Sequence, residues 1–229
     1  MTPNKNINTI IWDYDGTLVD TRHKNLNVTR RIVEVISGND WKKYPALATV
    51  ETYTYANKTS TNWRDFYTKE FGFTNDQTDN AGKAWTEYQL RDSTPTPVLA
   101  GVHEALRALG ALRHGIVSQN SRDTITQVLS ANNLMQYFGF IVGYEEVDLR
   151  RQKPEPDGLL LCIEKLNGVQ AGCVLYVGDH ETDARCAFNA NEVLRSNGSE
   201  VRVVSVGALY SAHTDTSDWE IKPDYEART

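Results

Sequence analysis

From residue 98 onward, short apolar runs alternate with segments whose apolar residues recur at helical spacing. The apolar runs predict strands at 115–117, 140–142, 173–177 and 201–206, and the periodic segments predict helices at 102–109, 122–132, 155–167 and 182–196. An earlier run predicts a first strand at 8–14. Continuous apolar strands that alternate with helices are typical of a parallel sheet covered on both faces. We therefore predict an α/β fold with a Rossmann-like parallel sheet as its core.

Residues 21–92 interrupt this alternation. They contain no convincing strand, and their aromatic and aliphatic residues recur at helical spacing, as in Trp63, Phe66 and Tyr67. The segment 93–97, Ser-Thr-Pro-Thr-Pro, has the composition of a stiff hinge. We predict an inserted all-helical domain at 21–92 and a core domain made of 1–20 and 93–229. Residues 213–229 are polar and are predicted to be irregular.

The composition of the 229 residues is that of a globular protein, with 40% hydrophobic and 24% charged residues. The 24 basic and 30 acidic side chains give a formal charge of −6, which argues against nonspecific binding to nucleic acid or an anionic membrane. The N-terminus has no apolar segment of the signal-peptide type, and no run is long enough to span a membrane. The three cysteines are far apart and suit a reducing compartment. A cytoplasmic location is expected, and the oligomeric state is left open.

Four polar segments follow predicted strands, where ligands bind in such sheets. They are 13–20, 118–121, 153–156 and 178–183. Asp13 and Asp15 would alternate across an extended strand, but Gly16 permits a turn that brings both into one cleft. An ordinary Asp-Gly turn is the alternative for this segment taken alone. The segments together supply carboxylates, a hydroxyl, amides and a lysine, a set suited to Mg²⁺ and a phosphate group.

In order and content, the four segments resemble the motifs of the haloacid dehalogenase superfamily of phosphohydrolases. The resemblance extends from residue 9 to about residue 207. The helical insert resembles the small cap of the subgroup that contains phosphoglycolate phosphatase and beta-phosphoglucomutase. In that subgroup such a cap excludes water and contributes specificity.

The resemblance implies a role for each matching residue. Asp13 would be the nucleophile that becomes an aspartyl phosphate, Asp15 the general acid and base, and Lys153 the neutralising cation. Phosphoryl oxygens would be bound by Thr17, Ser118, Gln119, Asn120 and Lys153. The metal site would be formed by Asp13, Asp15 through its backbone carbonyl, Asp179 and Asp183. An acid at position 15 favours phosphate ester chemistry over dehalogenation, because a halide needs no proton when it leaves.

The predicted function is that of a Mg²⁺-dependent phosphatase acting on a small phosphorylated metabolite, with phosphoglycolate the leading substrate. A sugar phosphomutase that uses the same aspartyl phosphate is the first alternative, and a non-catalytic binding module on this fold is the second. Basic residues of the insert are candidates for substrate contact, although a solvated helix face is the favoured interpretation of each: Arg22, His23, Lys58, Arg64 and Lys69. His180 is interpreted as a loop residue near the site, since Mg²⁺ prefers oxygen ligands.

Overall fold

A computed structural model describes residues 7–166, 171–211 and 214–228. The chain divides into two compact units. One consists of Met1–Asp20 with Val98–Thr229, and the other is Thr21–Pro97. The hinge-like segment 93–97 therefore belongs to the second unit, whereas the sequence had assigned it to the core domain.

The described residues form six strands and eight α-helices, and the two kinds of element alternate from α5 to β5. The strands are β1 (Ile7–Trp12), β2 (Arg113–Val117), β3 (Phe138–Val142), β4 (Ala171–Gly178), β5 (Glu200–Ala208) and β6 (Tyr225–Ala227). The helices are α1 (Arg22–Ser37), α2 (Val50–Lys58), α3 (Trp63–Phe71), α4 (Asn75–Arg91), α5 (Val102–Ala108), α6 (Arg122–Ala131), α7 (Asp157–Lys165) and α8 (Glu181–Ser196). Each strand and helix predicted after residue 98 is present, with ends that differ by a few residues. The last residue of the predicted helix 155–167, Asn167, lies outside the described residues.

The strands form one sheet in the order β3-β2-β1-β4-β5-β6, and every neighbouring pair is parallel. Because side chains alternate across a strand, Ile10 and Trp12 of β1 pack on one face with α5 and α6, while Ile11 packs on the other with α7 and α8. Both faces carry a continuous apolar core. This is the predicted Rossmann-like α/β architecture, and it brings the carboxyl ends of the strands to one edge of the sheet.

Two sequence predictions about strands were wrong. The first strand ends at Trp12 rather than at residue 14, because the chain turns there and the Tyr14 carbonyl accepts the backbone N–H groups of Leu18 and Val19. The segment 213–229 is not wholly irregular, since β6 pairs with the end of β5. The three residues of β6 are too few to give a periodic pattern that predicts a strand. Contacts distant in sequence hold it instead, among them the N–H of Leu209 donating to the Ala227 carbonyl.

The second unit is helical throughout its regular structure, as predicted, and consists of α1–α4 with two short 3₁₀ turns, Trp41–Lys43 and Pro45–Leu47. Side-chain oxygens of Thr49, Asn62 and Thr74 cap the N-termini of α2, α3 and α4. The core of the unit is aromatic, with Phe66 packed edge-on against the rings of Tyr53 and Phe71. In the described part of the chain, no helix has the length and apolar character needed to cross a membrane.

Candidate active site

The residues singled out in the sequence meet at the carboxyl edge of the sheet in the α/β unit. Asp13 follows β1, Ser118 follows β2, and Asp179 follows β4. Asp183 lies in the first turn of α8, and Lys153 lies in the loop between β3 and α7. The parallel topology explains this convergence, because all of these strands end at the same edge.

Two glycines allow the loops to approach each other closely. Gly16 has a φ of +76°, and a Cβ at this position would overlap the carboxylate of Asp179. A Cβ on Gly178 would overlap the side chain of Asp183. The sequence pointed to Gly16 as a turn residue, but only the structure identifies the space that both glycines leave for carboxylates.

Three carboxylates form a compact acidic group. One oxygen each from Asp13, Asp179 and Asp183 lies within 4.8 Å of the other two. Asp13 and Asp183 are buried, with 6% and 3% of their surface exposed. Burial, reinforced by the neighbouring charge of Asp183, raises the pKa of Asp179 to about 7. A cluster of hard oxygen donors with excess negative charge fits a divalent cation such as Mg²⁺.

Lys153 joins two members of this group. Its Nζ donates to Asp13 Oδ1 at 2.6 Å and to Asp183 Oδ1 at 2.7 Å. Burial disfavours the ammonium, but the two carboxylates outweigh this effect and raise the pKa of Lys153. Burial also raises the pKa of Asp13, and the ammonium acts in the opposite direction. One ammonium thus balances only part of the charge that the three acids carry when all are ionised.

Asp15 has different surroundings and lies outside the acidic group. Its carboxylate accepts hydrogen bonds from Asn120 Nδ2 at 3.3 Å and from Ser118 Oγ at 3.4 Å. The Ser118 hydroxyl also accepts the backbone N–H of Asn120 at 3.0 Å. The first and second polar segments are therefore connected at Asp15, a half-buried acid.

Three other residues have partners that the sequence did not indicate. The Thr17 hydroxyl donates to Asp179 Oδ1 at 3.2 Å, and Gln119 Nε2 donates to the Lys153 carbonyl at 3.2 Å. His180 Nδ1 accepts the N–H of Thr182 at 3.2 Å and caps α8. Phosphate binding by Thr17, Ser118, Gln119 and Asn120 stays a prediction, as does metal binding through the carbonyl of Asp15.

Sequence reasoning missed three side chains that contact the site. Tyr176 Oη donates to Asp183 Oδ1 at 3.0 Å, Asn189 Nδ2 to the Pro154 carbonyl at 3.0 Å, and Tyr210 Oη to the Thr17 carbonyl at 2.9 Å. A tyrosine inside the apolar run 173–177 was a usable signal for Tyr176, because a buried hydroxyl needs a partner. Nothing in the pattern indicated the other two.

Two of the basic candidates in the insert have partners within the helical unit. Arg64 pairs with Asp79 at 2.7 Å, and Lys69 Nζ donates to the Thr59 carbonyl at 3.4 Å. These contacts agree with the favoured interpretation of a helix surface.

The fold and site define a class: an α/β enzyme with a buried acidic group and a lysine at the carboxyl edge of a parallel sheet. The family of haloacid dehalogenase-like hydrolases matches residues 10–193 of this chain, and the chain belongs to that family. The family is one of hydrolases, in agreement with the hydrolytic enzyme that the resemblance predicted.

Its relatives include a protein named pyrophosphatase PpaX from Listeria monocytogenes, which is 27% identical over 194 residues and is matched over 80% of each chain. A phosphoglycolate phosphatase from Escherichia coli K12 is 33% identical over 91 residues, which are 40% of this chain and 34% of that protein.

Solved structures share the fold. A haloacid dehalogenase-like family hydrolase from Streptococcus pneumoniae aligns with a TM-score of 0.69 at 15% identity, over 97% of this chain and 94% of that one. A subfamily IA hydrolase of the same superfamily from Geobacter sulfurreducens aligns with a TM-score of 0.60 at 22% identity, over 99% and 94%.

Proposed function

We propose that this protein is a Mg²⁺-dependent phosphatase that hydrolyses a small phosphorylated metabolite through an aspartyl phosphate on Asp13. The observation that carries the proposal is the group formed by Asp13, Asp179 and Asp183 with Lys153 bridging two of its members. Such a group can hold a cation next to a nucleophilic carboxylate. When bound, Mg²⁺ would be held by these three acids and would neutralise charge on the attacking and phosphoryl oxygens.

The first half-reaction transfers the phosphoryl group to the enzyme. A carboxylate oxygen of Asp13 forms a bond to phosphorus, the bond from phosphorus to the ester oxygen breaks, and Asp15 gives its proton to that oxygen. Lys153 holds Asp13 in place through their 2.6 Å contact. Ser118 and Asn120 hold the Asp15 carboxyl through hydrogen bonds.

The second half-reaction releases phosphate. Asp15, now a carboxylate, takes a proton from water as the water oxygen bonds to phosphorus. The bond between phosphorus and Asp13 breaks, and both acids return to their starting states. The separate surroundings of Asp13 and Asp15 support this division of roles.

Phosphoglycolate is the leading substrate, and similarity to the Escherichia coli phosphoglycolate phosphatase supports it. Inorganic pyrophosphate is the second candidate, because relatives matched over 80% of their length are named pyrophosphatases. The same chemistry serves both, since phosphate replaces the alcohol as the leaving group.

The test measures phosphate release by the purified protein from phosphoglycolate, pyrophosphate and several sugar phosphates, with Mg²⁺ and with excess chelator. We expect Mg²⁺-dependent release, fastest from phosphoglycolate. Asp13→Asn should abolish it, whereas Asp218→Asn, a change at an exposed acid, should not. Undiminished release in chelator would refute the metal requirement. A strict need for a sugar bisphosphate, with no free phosphate formed, would identify a phosphomutase.

A further inference from the structure

A tyrosine beyond the last long strand contacts the loop that carries the nucleophile. Tyr210 follows β5, and its Oη donates to the backbone carbonyl of Thr17 at 2.9 Å. The ring packs against the apolar core on the face of the sheet that contains Trp12 and Leu18. Tyr210 belongs to none of the four polar segments and is far from Thr17 along the chain.

Thr17 is in turn hydrogen-bonded to a member of the acidic group. Thr17 is fully buried, and its hydroxyl donates to Asp179 Oδ1 at 3.2 Å. The backbone N–H of Thr17 donates to the Tyr14 carbonyl at 3.4 Å, so the backbone of Thr17 is also fixed within the loop. Two hydrogen bonds therefore connect Tyr210 to Asp179 through Thr17. The Tyr210 hydroxyl donates to the Thr17 carbonyl, and the Thr17 hydroxyl donates to Asp179.

We propose that Tyr210 is a positioning residue for the cation site and acts through Thr17 on Asp179. The inference rests on the proposed Mg²⁺-dependent function and adds a residue outside its motifs. Side chains behind a metal ligand orient it, and their loss weakens metal binding. Tyr210 touches none of the acids of the site, so its effect should fall on cation affinity and not on the chemical step.

The size of the expected change in Mg²⁺ affinity follows from the hydrogen bond that the Tyr210 hydroxyl makes. Removing it leaves the buried carbonyl of Thr17 without that donor, and the loop can then shift to find another. A neutral hydrogen bond of ordinary strength corresponds to about a fivefold change in a dissociation constant if all of it is coupled to binding.

The first experiment compares Mg²⁺ binding by wild-type protein and Tyr210→Phe with isothermal titration calorimetry in the absence of substrate. Phenylalanine keeps the ring packing and removes only the hydroxyl. We expect about fivefold weaker binding, a matching rise in the Mg²⁺ concentration for half-maximal activity, and an unchanged rate at saturating Mg²⁺. Tyr225→Phe is the matched control, because that tyrosine is 68% exposed on β6.

A double-mutant cycle tests the route through Thr17. In Thr17→Val, which lacks the hydroxyl, Tyr210→Phe should no longer weaken Mg²⁺ binding. In Thr17→Ser, which keeps it, the weakening should persist. Equal effects in both backgrounds would overturn the inference, as would wild-type Mg²⁺ affinity in Tyr210→Phe.

The melting temperature of the metal-free protein separates positioning from stability. A large drop for Tyr210→Phe without a change in Mg²⁺ affinity would make the hydroxyl a determinant of stability alone and would refute the proposal. Failure of the wild-type protein to bind Mg²⁺ would instead refute the proposed function. The two failures are therefore distinguishable in one series of titrations.

Discussion

Two acids that are two residues apart in the chain have different environments in the fold. Asp13 is buried and contacts the ammonium of Lys153, whereas Asp15 is half-buried and accepts from neutral donors of Ser118 and Asn120. This difference is the residue-scale basis for assigning one acid as nucleophile and the other as proton carrier.

Replacing Asp15 by Asn should slow both half-reactions while keeping an acceptor for Asn120. With an aryl phosphate, whose leaving group needs little protonation, the first step should suffer less than the second. The variant should therefore accumulate aspartyl phosphate on Asp13, detectable as added mass after rapid quenching. Asp13→Asn is the control and should carry no added phosphate. Turnover of the aryl phosphate by Asp15→Asn at the wild-type rate would refute the role of Asp15.

Replacing Gly178 by Ala should displace Asp183, because the new methyl group would overlap its side chain. Overpacking of this kind costs about 1–3 kcal/mol of stability, and the displaced acid should lower kcat/KM by about tenfold or more. Gly110→Ala is the matched control, since a Cβ there meets its nearest atoms at an ordinary 3.4 Å. Activity and urea unfolding measure both effects. Equal behaviour of the two variants would show that the close approach at Gly178 is dispensable.

At the scale of elements, a buried side-chain pair connects the neighbouring strands β1 and β2. Trp12 of β1 donates through Nε1 to Nδ1 of His114 on β2 at 3.0 Å, and His114 Nε2 lies 3.0 Å from the Leu109 carbonyl. Indole nitrogen can only donate, so His114 Nδ1 must be unprotonated and Nε2 must carry the proton. A second proton on the ring would therefore break the contact between the strands.

Burial lowers the pKa of His114 below its ordinary value of about 6.5. The unfolded chain then binds more protons than the folded chain as the pH falls through that range. The contribution of His114 to the free energy of unfolding is fully present above about pH 6.5. It decreases as the pH falls below that value. We expect His114→Asn to flatten the stability profile between about pH 7 and pH 5, measured by urea unfolding. His103→Asn on α5 is the control, and an equal flattening there would refute the assignment.

The loop between β3 and α7, which carries Lys153, is fixed by hydrogen bonds to two other elements. The carbonyls of Lys153 and Pro154 accept side-chain amides from Gln119 and Asn189, which lie on different elements. The loop between β3 and α7 is therefore held by residues that precede α6 and that lie within α8. These amide contacts explain how a loop, which is usually variable, can hold Lys153 against two carboxylates.

At the scale of the whole molecule, each unit has its own apolar core. The sheet is covered on both faces by α5–α8, and the helical unit is filled by aromatic rings around Phe66. A unit with its own core can lose stability without the other. The N-terminal caps of α2, α3 and α4 add local stability to the helical unit.

Phe66→Ala should destabilise the helical unit by about 3–5 kcal/mol, because it leaves a cavity among Tyr53, Tyr67 and Phe71. Hydrogen exchange followed by mass spectrometry should show lost protection in α2–α4 and retained protection in β4 and β5. Val35→Ala, at a residue 67% exposed on α1, should change little. Equal loss of protection in β4 and β5 would contradict independent cores.

The sequence alone located most of the strands and helices and singled out the candidate acids of the site. Apolar runs and helical spacing depend on nearby residues, so strands such as 173–177 and helices such as 182–196 could be located without tertiary contacts. The segments that contain Asp13, Asp15, Asp179 and Asp183 were candidates because polar residues that follow strands of a parallel sheet meet at one edge. The resemblance to the family supplied the role predicted for each acid.

Only the tertiary structure decided which side chains touch. Tyr210 and Asn189 contact the site loops from distant points in the chain, and β6 exists through pairing with β5 rather than through its own pattern. The overlap that excludes a Cβ at Gly178 depends on where Asp183 lies after folding. Such contacts join residues that no local periodicity relates, because their geometry is set by how the helices and strands pack.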